Sequence, residues 1–327
     1  MVKHKQGLNL CLLAQNGVLD YLIFMPPARS ATSRHTRVAL AQLKVDAHPE
    51  QNLKNAAIWV EKAASRGAQL ICLPELFRTP YFCQKEEAKR FDLSESIPGP
   101  TTQLFAKLAK KHKVTILVPV FERRAAGLYH NSAVLLGEKG ELAGQYRKMH
   151  IPDDPGFYEK YYFTPGDLGF QSFSTPSANV GVLICWDQWY PEAARLTALL
   201  GAEILFYPTA IGWHPKEKKE FGAAQLDAWK TAQRAHAIAN GVFVAACNRV
   251  GLEKDPSGGD GLEFWGHSFV CDPFGRMLAE AGEDEELLVC DLELNRIEEV
   301  RRNWPFLRDR RIDAFGGLLH RYGDEAV

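Results

Sequence analysis

A cysteine, a glutamate and a lysine, each at the end of an expected strand, are the residues here whose types and placement suit acyl transfer. In NVGVLICWDQWYPEAARL, the β-branched Val180, Val182 and Ile184 suit a buried strand that stops at Cys185. Pro191 then fits the first turn of a helix. Cys185 therefore lies at a strand-to-helix corner, where a side chain can face a cleft. The placement is that of a nucleophile elbow, although the G-x-S-x-G spacing is absent. A thiol attacks only as a thiolate, so it needs a base and a cation nearby.

Two other strand ends offer them. In LICLPELFRTPYF, Glu75 lies just past a buried run. A carboxylate there is costly unless paired or used. It is either an ion-paired loop acid or a general base. In YRKMHIPDDPGFYEKYYFTPGD, Lys148 ends a strand that reaches a proline-rich loop. It is either a solvated lysine or a cation for a thiolate and an oxyanion. His150 invites a Cys–His dyad, but the sequence identifies no Asn or Asp partner for it. The loop acids Asp153, Asp154 and Glu159 are either surface charge or pocket lining.

Other chemistries find less support. His130, His150, His214, His236 and His267 form no H-x-x-x-H or H-E-x-x-H pair, so no metal is expected. No phosphate-cradling glycine motif follows a strand, and no cofactor is expected. With 39 basic and 40 acidic residues the chain has a net charge of −1, and no basic stripe points to nucleic acid. The charge run KEKKE at 216–220 reads as a solvated face. Seven scattered cysteines, with no C-x-x-C pair, argue against a disulfide framework and fit reduced thiols in a cytoplasmic compartment.

The elements that must position these groups alternate from Arg37 onward. Strand RVALAQL, helix PEQNLKNAAIWVEKAASRG, strand AQLICLPE, helix TTQLFAKLAKKHK and strand VTILVPVFER follow in turn. A hairpin turning at Lys139-Gly140 comes next. After the Cys185 unit, the sequence predicts strand AEILFYPT, a helix over 223–240, one strand GVFVAACNRVG, a further hairpin, and a closing strand and helix. No composition shift or repeat divides the chain, so a single layered α/β domain with mixed sheets and outer helices is expected. Residues 1–36 read as a flexible N-terminal extension and 37–327 as the domain. Met25 is an alternative start. Asn9, Gln15, Asn16 and Asp20 interrupt the apolar N-terminal run, so no membrane span or signal peptide is expected.

The segments around Glu75, Lys148 and Cys185, in that order, resemble the nitrilase superfamily of carbon–nitrogen hydrolases over about residues 37–310. The resemblance implies a four-layer α-β-β-α sandwich and a homo-oligomer, dimer or larger. It implies Glu75 as base, Lys148 as charge stabiliser, Cys185 as nucleophile and Glu159 as an assisting acid. The stretches MHIPDDPGFYEKYYFTPGDLGF, CWDQWYPEAARL and YPTAIGWHP are similar to the branch acting on N-carbamoylputrescine in polyamine synthesis from agmatine. A small cationic ureido compound is thus the implied substrate. It would want an apolar channel with an acid at its far end. Asp154, Asp187 and Glu192 are the candidate acids. Tyr158, Trp186, Trp189 and Trp213 are candidate walls, and His214 a candidate for the entrance. β-Ureidopropionase-like and ω-amidase-like activities are alternatives; a non-enzymatic scaffold is disfavoured because all three central residues are present.

Overall fold

A computed structural model describes residues 34–254 and 258–323. The alternative start at Met25 and most of the expected extension lie outside the described residues. In chain order the first half contains β1 (His35–Gln42), α1 (Pro49–Ser65), β2 (Leu70–Cys72), α2 (Pro100–His112), β3 (Thr115–Ala125), β4 (Leu128–Leu136) and β5 (Leu142–Arg147). A one-turn α3 (Glu159–Tyr162) leads to β6 (Ser172–Ser174), β7 (Asn179–Val182), α4 (Pro191–Leu199), β8 (Ile204–Thr209) and β9 (Gly212–Trp213). The long α5 (Lys218–Asn240) precedes β10 (Phe243–Asn248), β11 (Val250–Glu253), β12 (Leu262–Trp265), β13 (Phe269–Cys271), β14 (Met277–Glu280), β15 (Glu286–Glu293) and α6 (Asn295–Asn303).

Two six-stranded mixed sheets form, ordered β15-β1-β2-β3-β4-β5 and β14-β13-β10-β8-β7-β6, with a small sheet β11-β12-β9. Side chains alternate faces along a strand, and β1 shows the consequence. Ala39 and Ala41 pack with Leu53, Val60 and Phe105 of α1 and α2. Val38 and Leu40 pack instead with the other sheet, among Val180, Ile204 and Val244. That second sheet carries α4 and α5 on its far side, through Ala194, Ala198, Trp229 and Ala237. The layers are therefore α-β-β-α, the four-layer sandwich expected. None of the described helices is long and apolar enough to cross a membrane.

Topology explains why the functional groups gather. Strands β1, β2 and β3 are parallel, and β5 runs in the same direction after two antiparallel steps. Glu75 follows the carboxyl end of β2 and Lys148 that of β5, so both leave the same edge of one sheet. Strands β7, β8 and β10 are likewise parallel, and Cys185 follows β7. Ligands bind outside the carboxyl ends of parallel strands in α/β sheets generally.

The structure differs from the sequence reading at several elements. Strand β1 begins at His35, inside the expected 1–36 extension, with Thr36 fully buried against the other elements. Helix α5 begins at Lys218 rather than 223, because the charge run supplies its first turn. Lys218 bridges to Glu263 at 2.7 Å and lies 4.2 Å above the Trp213 ring, so only part of that run is solvated. The single strand expected over 241–251 breaks at Arg249 into β10 and β11, which belong to different sheets.

Phe105 is fully buried and packs edge-on to Phe77 with centroids 5.6 Å apart. Phe105→Ala should lower stability by about 3–5 kcal/mol in urea unfolding. Ile58→Ala, at a site half exposed on α1, should change it by less than about 0.5 kcal/mol. Equal effects would contradict the layer assignment.

Candidate active site

Cys185 opens a short 3₁₀ turn, Cys185–Trp189, between β7 and α4. Its φ is +42°, a left-handed conformation uncommon outside glycine and stored where the surroundings enforce it. Asp187 does the enforcing. Its Oδ2 accepts the Ile184 N–H at 2.9 Å and the Tyr146 hydroxyl at 2.8 Å. Its Oδ1 accepts the His150 backbone N–H at 3.0 Å and lies 2.7 Å from His150 Nδ1. The His150 ring stacks on Tyr190 with centroids 3.6 Å apart. His150 thus serves the elbow's frame through Asp187, the partner that the sequence did not identify, and makes no dyad with Cys185.

Glu75, Lys148 and Glu159 form one array with no exposed surface on any of their side chains. Lys148 Nζ donates to Glu75 Oε1 at 2.8 Å and to Glu159 Oε2 at 2.6 Å. Asn131 Nδ2 donates to the same Glu75 oxygen at 2.7 Å, and the Tyr81 hydroxyl to Glu159 Oε1 at 2.7 Å. Glu75 Oε2 is buried with no hydrogen-bond partner. A glycine secures the lysine's strand end: Gly166 N–H donates to the Lys148 carbonyl at 2.8 Å, and a Cβ there would lie 2.1 Å from the Arg147 carbonyl oxygen.

The electrostatics assign protonation states. Burial alone would discharge Lys148, but Glu159 and Glu75 outweigh it and hold the ammonium well above the usual lysine range. Burial also raises Glu159, and Glu75 adds to this against the pull of Lys148. Burial, then the Glu75 charge, push the Cys185 thiol well up, with Lys148 opposing. The electrostatics therefore favour the thiol form of Cys185 over the thiolate. Glu75 Oε2 is the carboxylate oxygen of this array left without a partner; the Asn131 amide oxygen beside it is unpartnered too.

Cys185 and Glu159 line a cavity of about 370 Å³. Trp186, Trp189, Phe157 and Trp265 line it too, and exposed Asp154 and Glu217 stand at its mouth with half-buried His214. Among the described residues, neither rim carboxylate makes an ion pair and no Arg or Lys lines the cavity. Of the sequence candidates, Asp154, Trp186, Trp189 and His214 line it. Asp187 does not: it is fully buried and both oxygens serve the elbow. Tyr158 lies off the wall, where Phe157 takes the lining position. Trp213 and Glu192 are also absent from the lining; Trp213 is buried with its indole donating to the Gly222 carbonyl at 3.0 Å. Among the described residues, no group of three or more His, Cys, Asp or Glu side chains is arranged to hold a metal ion.

Asn131, Tyr81 and Glu217 were missed by sequence reasoning. The signal for Asn131 is a run of three consecutive polar residues, His130-Asn131-Ser132, buried inside an apolar strand. Buried polar groups demand partners, and here one partner is Glu75.

Residues 37–302 match the carbon–nitrogen hydrolase family. An N-carbamoylputrescine amidase from Solanum lycopersicum is 42% identical over 299 residues, spanning 90% of this chain and 98% of that protein. A crystal structure of a carbon–nitrogen hydrolase from Helicobacter pylori G27 superposes with a TM-score of 0.87 at 49% identity, covering 89% of this chain and all of that one. A mutant amidase from Nesterenkonia sp. AN1 carries the acetamide moiety of fluoroacetamide covalently added at its active site cysteine. It matches with a TM-score of 0.65 at 26% identity over 85% of this chain and all of that one.

Asp187→Ala strands two buried donors, the Ile184 N–H and the Tyr146 hydroxyl. It should cost about 2–6 kcal/mol in denaturant unfolding, at roughly 1–3 kcal/mol per orphaned group. A variant of unchanged stability and raised KM would instead make Asp187 a substrate ligand.

Proposed function

The chain belongs to the carbon–nitrogen hydrolase family, and from that premise we propose that it cleaves N-carbamoylputrescine through a carbamoyl thioester on Cys185. That it is an enzyme hydrolysing carbon–nitrogen bonds follows from the family; substrate, residue roles and pathway are this reading's own. The observation that carries the substrate is the rim. Two carboxylates with no ion pair among the described residues, Asp154 and Glu217, face a cavity that none of the described Arg or Lys side chains lines. A cationic distal end gains there, whereas the carboxylate of N-carbamoyl-β-alanine would meet like charge. The name of the tomato relative supports the same substrate.

The chemistry runs as follows. The Cys185 thiol proton passes to Glu75 Oε2 as sulfur attacks the ureido carbon. The oxyanion that forms is held by the Lys148 ammonium and the Trp186 backbone N–H. Glu75 returns the proton to the putrescine nitrogen, and the C–N bond breaks to leave a carbamoyl thioester. Glu75 then takes a proton from water, whose oxygen attacks the thioester carbon. The thiolate leaves and recovers that proton. The carbamic acid released decomposes to carbon dioxide and ammonia. Glu159 keeps Lys148 charged and oriented throughout. The acetamide adduct on the cysteine of the Nesterenkonia amidase supports the nucleophile assignment.

The same reading makes the enzyme a cytoplasmic homo-oligomer, dimer or larger, that contributes to putrescine synthesis from agmatine. Leu196, Leu199 and Leu200, about half exposed on and beside α4, suit burial against a second copy. The six described cysteines are all free, in keeping with a reducing compartment. The hydrolase domain then takes in the residues from His35, where β1 starts, and the residues before it are an extension.

Ammonia release tests the substrate. With chelator present, the purified protein should turn over N-carbamoylputrescine with a kcat/KM at least about a hundredfold above that for N-carbamoyl-β-alanine; comparable values would refute the acidic rim. Cys185→Ala should retain the fold and lose turnover by a factor of about 10⁴ or more. Residual activity within tenfold of the parent would move the chemistry to another residue.

A further inference from the structure

The loop from Glu75 to Tyr81 reaches the buried array twice. Glu75 opens it and bonds Lys148; Tyr81 closes it and gives its hydroxyl to Glu159. Between them the backbone takes a left-handed turn at Leu76, with φ +49°. A second buried ion pair, from the break between β10 and β11, grips this loop. Arg249 has no exposed surface and bonds both Glu253 oxygens, at 3.0 and 3.1 Å. Its other terminal nitrogen donates to the Leu76 carbonyl at 2.8 Å and the Thr79 carbonyl at 3.1 Å. Glu253 Oε2 accepts the Tyr81 backbone N–H at 2.7 Å. Arg249 also lies 5.2 Å from the Phe264 ring, which packs edge-on against Tyr81 at 5.6 Å. A buried ion pair is a costly way to stabilise a protein, and this one spends every contact described here on that loop and its anchor.

We propose that Tyr81 is a positioning residue for Glu159. In this scheme the buried Arg249–Glu253 pair holds the 75–81 loop in the one shape that brings Glu75 to Lys148 and the Tyr81 hydroxyl to Glu159 together. Tyr81 does not line the cavity, so it acts through the carboxylate and not on the substrate. Its phenol stays protonated, because burial and then the Glu159 charge push it well above the usual tyrosine range. It is thus a permanent donor that favours ionised Glu159. The other groups acting on Glu159 are Lys148 after β5 and Glu75 after β2, while the Cys83 and Cys185 thiols feel its charge. The inference rests on the role given above to Glu159.

The test is a double-mutant cycle on Tyr81→Phe and Glu159→Gln, read as kcat and KM against pH. It uses N-carbamoylputrescine or, should that fail, the ureido or amide compound that the enzyme does turn over. Removing the hydroxyl takes away a donor to the charged carboxylate and raises its folded pKa. Tyr81→Phe should therefore lower kcat about tenfold near neutrality. KM should change little, and the acid limb should move to higher pH. Added to Glu159→Gln, it should have no further effect on kcat. 3-Fluorotyrosine in place of Tyr81 keeps the ring and hydroxyl, and so serves even if the Phe variant does not fold. Its stronger donor should move the acid limb to lower pH. Two results overturn the inference alone: a parental kcat and pH profile in Tyr81→Phe while Glu159→Gln is impaired, or fully additive losses. A Glu159→Gln variant as active as the parent removes the role of Glu159 itself and the inference with it.

Discussion

Lys148 is a fully buried ammonium, and much of the structure around it answers the cost of putting it there. A lone charge in an apolar interior neutralises rather than staying charged. Glu75 and Glu159 prevent that, at 2.8 and 2.6 Å. Two carboxylates against one ammonium leave excess negative charge, and the uncharged donors Asn131 and Tyr81 spread it. Breaking such an array by removing one partner costs about 3–5 kcal/mol, because the remainder stays buried and unpaired. The array is thus preorganised, with one carboxylate oxygen left open beside a protonated thiol.

Building it requires the four-layer sandwich. Glu75 and Lys148 leave the same edge of one sheet, Cys185 leaves the other sheet, and Glu159 comes from the loop that follows Lys148. The inner faces of both sheets share one core, and this sets the distance between the thiol and the array. Asp187 and His150 do for the elbow what Arg249 and Glu253 do for the Glu75 loop. In each, a buried carboxylate sits beside a basic side chain and accepts a backbone N–H at or next to a functional residue, Ile184 for Asp187 and Tyr81 for Glu253.

The central residues are legible in sequence because each sits where a strand ends, and an acid, a cation and a thiol at such ends suit one chemistry together. Strand and helix alternation is legible for the same reason: one-face burial imposes a period. What escapes is whatever depends on contacts distant in sequence. Asp187 is adjacent to the aromatic turn and reads as a pocket acid, yet its donors come from β5, the segment after β5 and β7. The break at Arg249 is faint in the sequence: Asn248 and Gly251 disfavour strand, but Val244 and Val250 favour it, and the loop after β2 supplies the reason for the break. Glu217 hides in a charge run that looks solvated until α5 brings its start to the mouth of the cavity.

In the proposed reading the rim sets selectivity without altering the array. Glu75, Lys148 and Cys185, supported by Glu159, would act on the carbonyl. Which amide reaches them would depend on the aromatic walls and on Asp154 and Glu217 at the opening. The claim that Cys185 carries the acyl group can be tested directly by peptide mapping of enzyme quenched during steady turnover of N-carbamoylputrescine. The account predicts one carbamoyl group on the peptide containing Cys185, lost once substrate is exhausted. A carbamoyl group on another residue, or steady turnover with Cys185 unmodified at every quench time, would contradict it.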